Sequence, residues 1–376
     1  MSPLGLGGDA LSEEKSIMPL VAHTNLPTFQ RLREEGQIVL TEALASHQDI
    51  RELHIGFLNM MPDAALEATE RQFFRLVGES NQIAQFHLHP FTLESLPRGA
   101  AAQAHIARYY EKFSDLQNQG LDALIITGAN PQQAQLEDEP FWQGLAEVVE
   151  WAHANVTSTL CSCLASHALV QHIWGVKRRP LGFKRWGVYS HAVTMPEHPL
   201  VNNLNTRFDV PHSRFNQIDR EVMEQVGLKI LVDSAEAGVH MAVSPDLFRI
   251  IFMQGHPEYD QISLLKEYRR EVTRWFDGTR VDYPPFPENY LRPQAKAILN
   301  EYRLAQSQAK RLNQPMPEFP ENLLKSLIHN TWRDTAKVFY SNWIGKVYQL
   351  TNNDRRKPFM EGVDFDDPLG IRYSLS

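Results

Sequence analysis

TLCSCLASHAL, residues 159–169, holds both cysteines of a 376-residue chain and passes from a β-like apolar run into a helix-like one. A cysteine at such a junction can occupy a tight strand-to-helix turn, with its sulfur projecting from the sheet edge. The N-terminus of the following helix favours the anionic sulfur there. Cys163 has that position, whereas Cys161 reads as a strand residue. The small neighbours Ser162, Ala165 and Ser166 leave room for the turn and for a bound substrate. On this segment alone, two small residues filling a core fit equally well, because free cysteine is among the most buried residue types.

Working outward, the same alternation recurs. ELHIGFLNMM (52–61) precedes EATERQFFRLVGES (67–80), IAQFHLHPF (83–91) precedes AAQAHIARYYEKFSDLQNQ (101–119), and DALIITG (122–128) precedes FWQGLAEVVEWAHA (141–154). Repeated strand and helix with short connections predicts a doubly wound, mostly parallel α/β sheet flanked by helices. After Gly175 the pattern turns β-rich, in WGVYSHAVTM, LKILVDS, HMAVSPD and LFRIIFMQG, before the helical run DQISLLKEYRREVTRWF. A return strand RIIFMQG would carry HPEYD to the sheet end that holds the cysteines, and ligands in open α/β sheets sit at the carboxyl ends of strands.

Three divisions are expected: a flexible tail over 1–25, the α/β domain over 26–280, and a proline-rich linker with a helical C-terminal segment over 281–376. The linker signal is VDYPPFPENYLRP (281–293). The aromatic stripes beyond it read as packing against the core or a second subunit, which makes a homodimer the expected assembly.

Composition narrows the function classes. With 37 basic and 45 acidic residues the formal charge is −8, which opposes binding to a nucleic-acid backbone. The densest basic stretch, KRRPLGFKR (177–185), suits either a solvated loop or the phosphates and carboxylates of a small molecule. No apolar run approaches the ~18 residues that span a bilayer, and the start lacks the pattern of a secretory signal, so a cytoplasmic protein is expected. Cys161 and Cys163 are too close for a disulfide framework and lack the C-x-x-C spacing of a zinc centre, so no metal is expected from them. Nothing resembling G-x-G-x-x-G or G-x-x-x-x-G-K follows the first long strand, and no bound cofactor is expected.

A thiolate nucleophile needs an oriented base, and GHPEYD (255–260) offers His256 with Glu258 two residues on. In a chain with fifteen histidines that pairing also fits an ordinary surface turn. His167, one helical turn after Cys163, is a rival base, but its direction along the sheet suits a structural role. At ITGAN (126–130), Gly128 and Ala129 close a strand whose backbone N–H groups, with that of Leu164, can hold an oxyanion.

CLASH after one strand and HPE after a later one resemble the class I glutamine amidotransferase-like superfamily. The full set resembles the homoserine O-acyltransferase family of methionine biosynthesis, of the O-succinyltransferase type. The likeness runs through LPTFQRLREEGQIVL, LNMMPDAALEATERQFFRL, DALIITGA, VTSTLCSCLA, GVYSHAV, VPHSRF, GHPEYD and FYSNWIGKVYQLT, about residues 26 to 353. The resemblance implies that Cys163 is the acyl-accepting nucleophile, His256 the general base and Glu258 its orienting partner, and that Lys184, Ser213 and Arg270 bind substrate. It implies L-homoserine as acceptor and acyl-CoA as co-substrate, with an acyl-cysteine intermediate.

Two positions depart from that family's pattern. Asp63, Ala64 and Ala65 stand where the family carries lysines, and Gln132 occupies the donor-selecting position, where glycine accompanies succinyl and glutamate acetyl donors. An uncharged Gln132 does not repel a succinyl carboxylate, which favours succinyl-CoA over acetyl-CoA. A serine O-acyltransferase, a glutaminase-like hydrolase using the same three residues, and a redox-sensing thiol remain alternatives. Ala165, where glutaminases favour glycine, speaks against the hydrolase.

Overall fold

A computed structural model describes residues 20–46, 50–80 and 84–372. Its centre is one 11-stranded sheet. In chain order the strands are β1 (Leu20–Ala22), β2 (Val39–Thr41), β3 (Glu52–Leu58), β4 (Gln85–Phe91), β5 (Ala123–Ile126), β6 (Ser158–Ser162), β7 (Arg179–Val193), β8 (Arg207–Gln217), β9 (Lys229–Asp233), β10 (Met241–Val243) and β11 (Ile250–Met253). Across the sheet they lie in the order β2-β1-β4-β3-β5-β6-β11-β10-β9-β7-β8. Pairing is parallel from β2 through β11 and antiparallel from β11 through β8. The mostly parallel, doubly wound α/β architecture read from the alternation is therefore the one observed.

Strand residues alternate between two cores because successive side chains point to opposite faces. Ile125, Leu160, Ile251 and Met253 enter one apolar cluster, while Leu124, Ile126, Cys161 and Phe252 enter the other. Each such buried aliphatic or aromatic side chain contributes on the order of 1.5–3 kcal/mol. The helix Leu164–Trp174 is mostly apolar, is buried along most of its length, and ends at Gly175 in the left-handed conformation. Helix Ser263–Phe276 instead presents Leu264, Leu265, Tyr268 and Val272 to a third cluster with Trp186, Val188 and Leu299.

The expected tail over 1–25 falls mostly outside the described residues, and its end, residues 20–22, forms β1 in the sheet. Strand β8 has no clear sequence signal because Pro211 and three charged residues interrupt its alternation. It is the sheet's last strand, where a proline costs no interior ladder bond. Residues 281–293 run beside β7, where Val188 N donates to Glu288 O at 2.9 Å and Glu288 N donates to Trp186 O at 2.8 Å. Helix Arg333–Leu350 inserts Trp343 into the first core, and its indole donates to Ser158 Oγ at 2.9 Å. Among the described residues no helix is long and apolar enough to cross a membrane.

Candidate active site

Cys163 caps the helix Leu164–Trp174 with φ +52° and ψ −111°. An L-residue rarely adopts that conformation, which lifts the side chain off the end of β6 and stores strain at the turn. Local bonds hold it there. Cys163 N donates to Met253 O at 2.7 Å, Ser166 Oγ donates to Cys161 O at 2.9 Å, and Gln254 Nε2 donates to Cys163 O at 3.4 Å. The elbow is thus tied to the end of β11, the strand that delivers the histidine. Cys163 is partly exposed, whereas Cys161 is fully buried and burial pushes its thiol well above the usual range.

His256 and Glu258 meet through Nδ1 and Oε1 at 2.8 Å, both buried. Burial by itself disfavours the imidazolium, but the charges of Glu258 and Cys163 and hydrogen bonds to both outweigh it, leaving the His256 pKa well above its ordinary value. Cys163, His256 and Glu258 therefore form one connected group. The histidine's backbone is fixed from β8, since His256 N donates to Pro211 O at 2.8 Å. Gly255 must lack a side chain there, because a Cβ would lie 2.4 Å from Val210 Cγ1 and 3.0 Å from Pro211 O. Asp260 is held by Arg71 and Arg75 of helix Leu66–Ser80, which anchors the far end of the turn.

His167 is buried beneath the elbow, and its pKa falls to about 3 through burial first and then the nearby Arg214 and Arg178. A neutral, enclosed imidazole fits the structural role expected of it.

At the end of β5, Gly128 faces the cysteine turn. A Cβ on Gly128 would sit 3.4 Å from Cys163 Cβ and 3.8 Å from Leu164 N, occupying the space in front of that amide. Leu164 opens its helix, so its N–H has no intrahelical acceptor. Ala129 packs half-buried against the second core. Gln132 is exposed and its side chain turns back on Asn130 O at 3.2 Å, while Gln132 N and Gln133 N both donate to buried Glu139 at 2.6 Å.

Lys184 and Ser213 converge on Glu267, with Lys184 Nζ 2.9 Å and Ser213 Oγ 2.7 Å from Oε2. Tyr259 donates to the other oxygen at 2.8 Å. Burial would protonate this carboxyl, but Lys184, Ser213 and Tyr259 hold its pKa below the usual value. Arg270 lies on the same helix with 60% of its side chain exposed and pairs with Glu271 at 3.4 Å. It makes no hydrogen bond to the Lys184–Ser213–Glu267 group, but its charge and that of Lys184 both act on Glu271.

Sequence reasoning missed Glu267, Tyr259, Arg178 and Arg214. Arg178 and Arg214 are both lowered by burial and partly restored by the charge of Cys163, which places two guanidinium groups in the field of the thiol. Arg214, down to about 10, is bound to the carbonyls of Asn216 and Ala237. Arg178 has no hydrogen-bond partner among the described residues and faces Cys163 and Glu139. Its place in KRRPLGFKR was the available signal, which composition left undivided between solvent and ligand.

In the turn after β3, Asp63 accepts from Gly99 N at 2.7 Å and fixes the backbone there.

The sequence profile of the homoserine O-succinyltransferase family matches residues 19–353. The homoserine O-succinyltransferase of Thiothrix nivea is 81% identical over 95% of this chain and 99% of its own length. That of Methylococcus capsulatus is 64% identical over 94% of this chain and 100% of its own. Among solved structures, a glutamine amidotransferase from Methylobacillus flagellatus is similar at 14% identity and a TM-score of 0.44, over 79% of this chain and 95% of its own.

Proposed function

Since the chain belongs to the homoserine O-succinyltransferase family, we propose that it transfers a succinyl group from succinyl-CoA to the hydroxyl of L-homoserine, through a thioester on Cys163. The observation that carries the assignment of residues is the strained elbow of Cys163 joined to the buried His256–Glu258 pair.

The chemistry follows from the charges. Thiolate Cys163 attacks the thioester carbonyl of the donor, and the oxyanion is held by the N–H groups of Leu164 and the Gly128–Ala129 turn. The tetrahedral intermediate collapses, the C–S bond to CoA breaks, and the imidazolium of His256 gives its proton to the departing CoA thiolate. Formation of the acyl-cysteine removes the sulfur charge that helped keep His256 protonated. The imidazole is then a base, oriented by Glu258. It takes the proton of the homoserine hydroxyl as that oxygen attacks the acyl-cysteine, and departure of the Cys163 thiolate restores the ion pair. Water is the competing nucleophile, so acyl transfer requires the acceptor to fill the site.

In this reading Lys184, Ser213 and Arg270 serve the acceptor, with Glu267 positioning Lys184. Arg178, cationic and without a hydrogen-bond partner of its own among the described residues, meets the distal carboxylate of the succinyl donor. CoA is a co-substrate rather than a resident group. An unpaired catalytic thiol suits a reducing compartment, and the cytoplasm is part of the same proposal. So is a homodimer, supported by the exposed Leu304, Leu312 and Leu323 of the C-terminal segment.

The test is succinyl-CoA without acceptor, followed by intact mass and peptide mapping. One succinyl group on Cys163, discharged by L-homoserine as O-succinylhomoserine, is expected. A label on Cys161, or turnover with no covalent species at any time, overturns the assignment.

A further inference from the structure

The cysteines gave no reason to expect a metal, but a group of histidines away from the thiol does. Strands β3 and β4 pair with His54 opposite His87 and Gly56 opposite His89. Alternation along each strand therefore gathers Glu52 and His54 with His87 and His89 on one face. His23, just past β1, lies beside His89 with ring centroids 4.7 Å apart and planes inclined by 45°. Glu111 is brought to the same place because its N–H donates to Pro90 O at 2.8 Å. The donor atoms of His23, His89 and Glu111 all lie within 4.8 Å of one another, as do those of Glu52, His54 and His87.

With all its imidazoles neutral, the row of this cluster is not matched at both ends, and one added positive charge, a proton or a metal ion, closes it. His23 Nδ1 faces Val21 O at 3.4 Å, leaving Nε2 buried with no hydrogen-bond partner and 3.8 Å from Glu111 Oε1. His89 Nδ1 faces Glu111 Oε1 at 2.6 Å, His89 Nε2 faces His54 Nδ1 at 2.8 Å, and His54 Nε2 faces Glu52 Oε2 at 3.4 Å. Each neutral imidazole has one proton. If His89 gives its proton to Glu111, His54 must donate to His89, and the bare Nε2 of His54 then confronts a carboxylate. A cation against His89 Nδ1 reverses the row. His89 Nε2–H donates to His54, and His54 Nε2–H donates to Glu52, so every atom in the row is matched.

We propose that His23 Nε2, His89 Nδ1 and the Glu111 carboxylate form a binding site for a divalent transition-metal ion of the zinc type, with His54 and Glu52 orienting His89 from behind. Two imidazoles and a carboxylate are a donor set that such ions accept, with a further position left for water. Arg355 also lies within electrostatic range of His54, His87 and His89, and at His89 the charge of Glu111 opposes it. The ion would tie together the end of β1, strand β4 and the segment after helix Ala100–Tyr109.

The experiment uses full-length Cys163→Ser protein, which removes the thiolate as a competing ligand. After exhaustive chelation it is titrated with ZnCl2 by calorimetry, and thermal unfolding is followed with and without the ion. One equivalent bound, with a raised Tm, is expected. His23→Gln and Glu111→Gln, each shown folded by circular dichroism, should abolish that binding, His54→Gln should weaken it by about 10- to 100-fold, and His172→Gln on the surface should leave it unchanged. Absence of stoichiometric binding at micromolar Zn2+, or binding that survives both His23→Gln and Glu111→Gln, overturns the site. Neither result bears on succinyl transfer, because that variant lacks the nucleophile.

Discussion

The ring of Tyr259 lies on the imidazole of His256, with centroids 4.3 Å apart and planes inclined by 16°. The Tyr259 hydroxyl donates to Glu267, which in turn holds Lys184 and Ser213. One tyrosine thus fixes the plane of the proposed base and connects it to the side where the acceptor is placed. Burial first, and then the charges of Glu267 and Glu258, raise its pKa well above the ordinary value, so the hydroxyl stays a donor throughout the working range.

Tyr259→Phe keeps the stack and deletes that donor. It should raise the KM for homoserine several-fold while leaving the single-turnover rate of Cys163 acylation within about twofold of wild type, since only a net hydrogen bond of ~1 kcal/mol is lost. Tyr259→Ala should slow both half-reactions. Equal loss in both half-reactions for Tyr259→Phe would detach the hydroxyl from the acceptor side.

The pH dependence has a definite sign. His256 is protonated more readily in the folded chain than in the unfolded one, so its contribution to stability is complete below the unfolded pKa of about 6.5 and is lost as pH rises through the raised folded value. Glu258→Gln removes the main group that raises it. Urea unfolding of wild type should therefore lose stability above about pH 6.5 more steeply than Glu258→Gln does, and parallel curves would contradict the pairing. His256→Ala should lower kcat by about 10²- to 10⁴-fold.

Gly255→Ala introduces a methyl group into space already held by Val210 and Pro211. Overpacking of that kind costs about 1–3 kcal/mol, and relief requires the His256 loop to shift. Acylation of Cys163 should fall by a larger factor than the change in urea midpoint accounts for. A variant with wild-type acylation would show that the loop tolerates displacement.

Arg178→Met tests the donor carboxylate. A hydrogen bond to a charged group contributes about 1.5–3 kcal/mol, so kcat/KM for succinyl-CoA should fall by roughly 10- to 100-fold, with that for acetyl-CoA little changed. Equal losses for the two donors would assign Arg178 to the thiol alone.

The parts legible from the sequence were those encoded locally. Alternating β-like and amphipathic runs gave the sheet, and a cysteine at a strand–helix junction gave the elbow, because both depend on neighbours within a few residues. His256 and Glu258 were legible because a two-residue spacing brings Nδ1 to the carboxylate directly. Glu267 was not, since its meaning comes from Lys184 and Ser213, 83 and 54 residues away. The same holds for Asp260, whose arginine partners lie 189 and 185 residues back. Arg270 was assigned through resemblance, and its exposed side chain shows no such convergence on its own.

Trp343 reaches under the sheet to Ser158, on the strand that ends in the turn of Cys163. Helix Arg333–Leu350 shares that face of the sheet with Phe73, Phe74 and Val77 of helix Leu66–Ser80, so a late segment completes a core that an early one begins. A chain cut short before Trp343 would therefore lose a fully buried indole from beneath the start of β6, 185 residues away from the serine to which it donates.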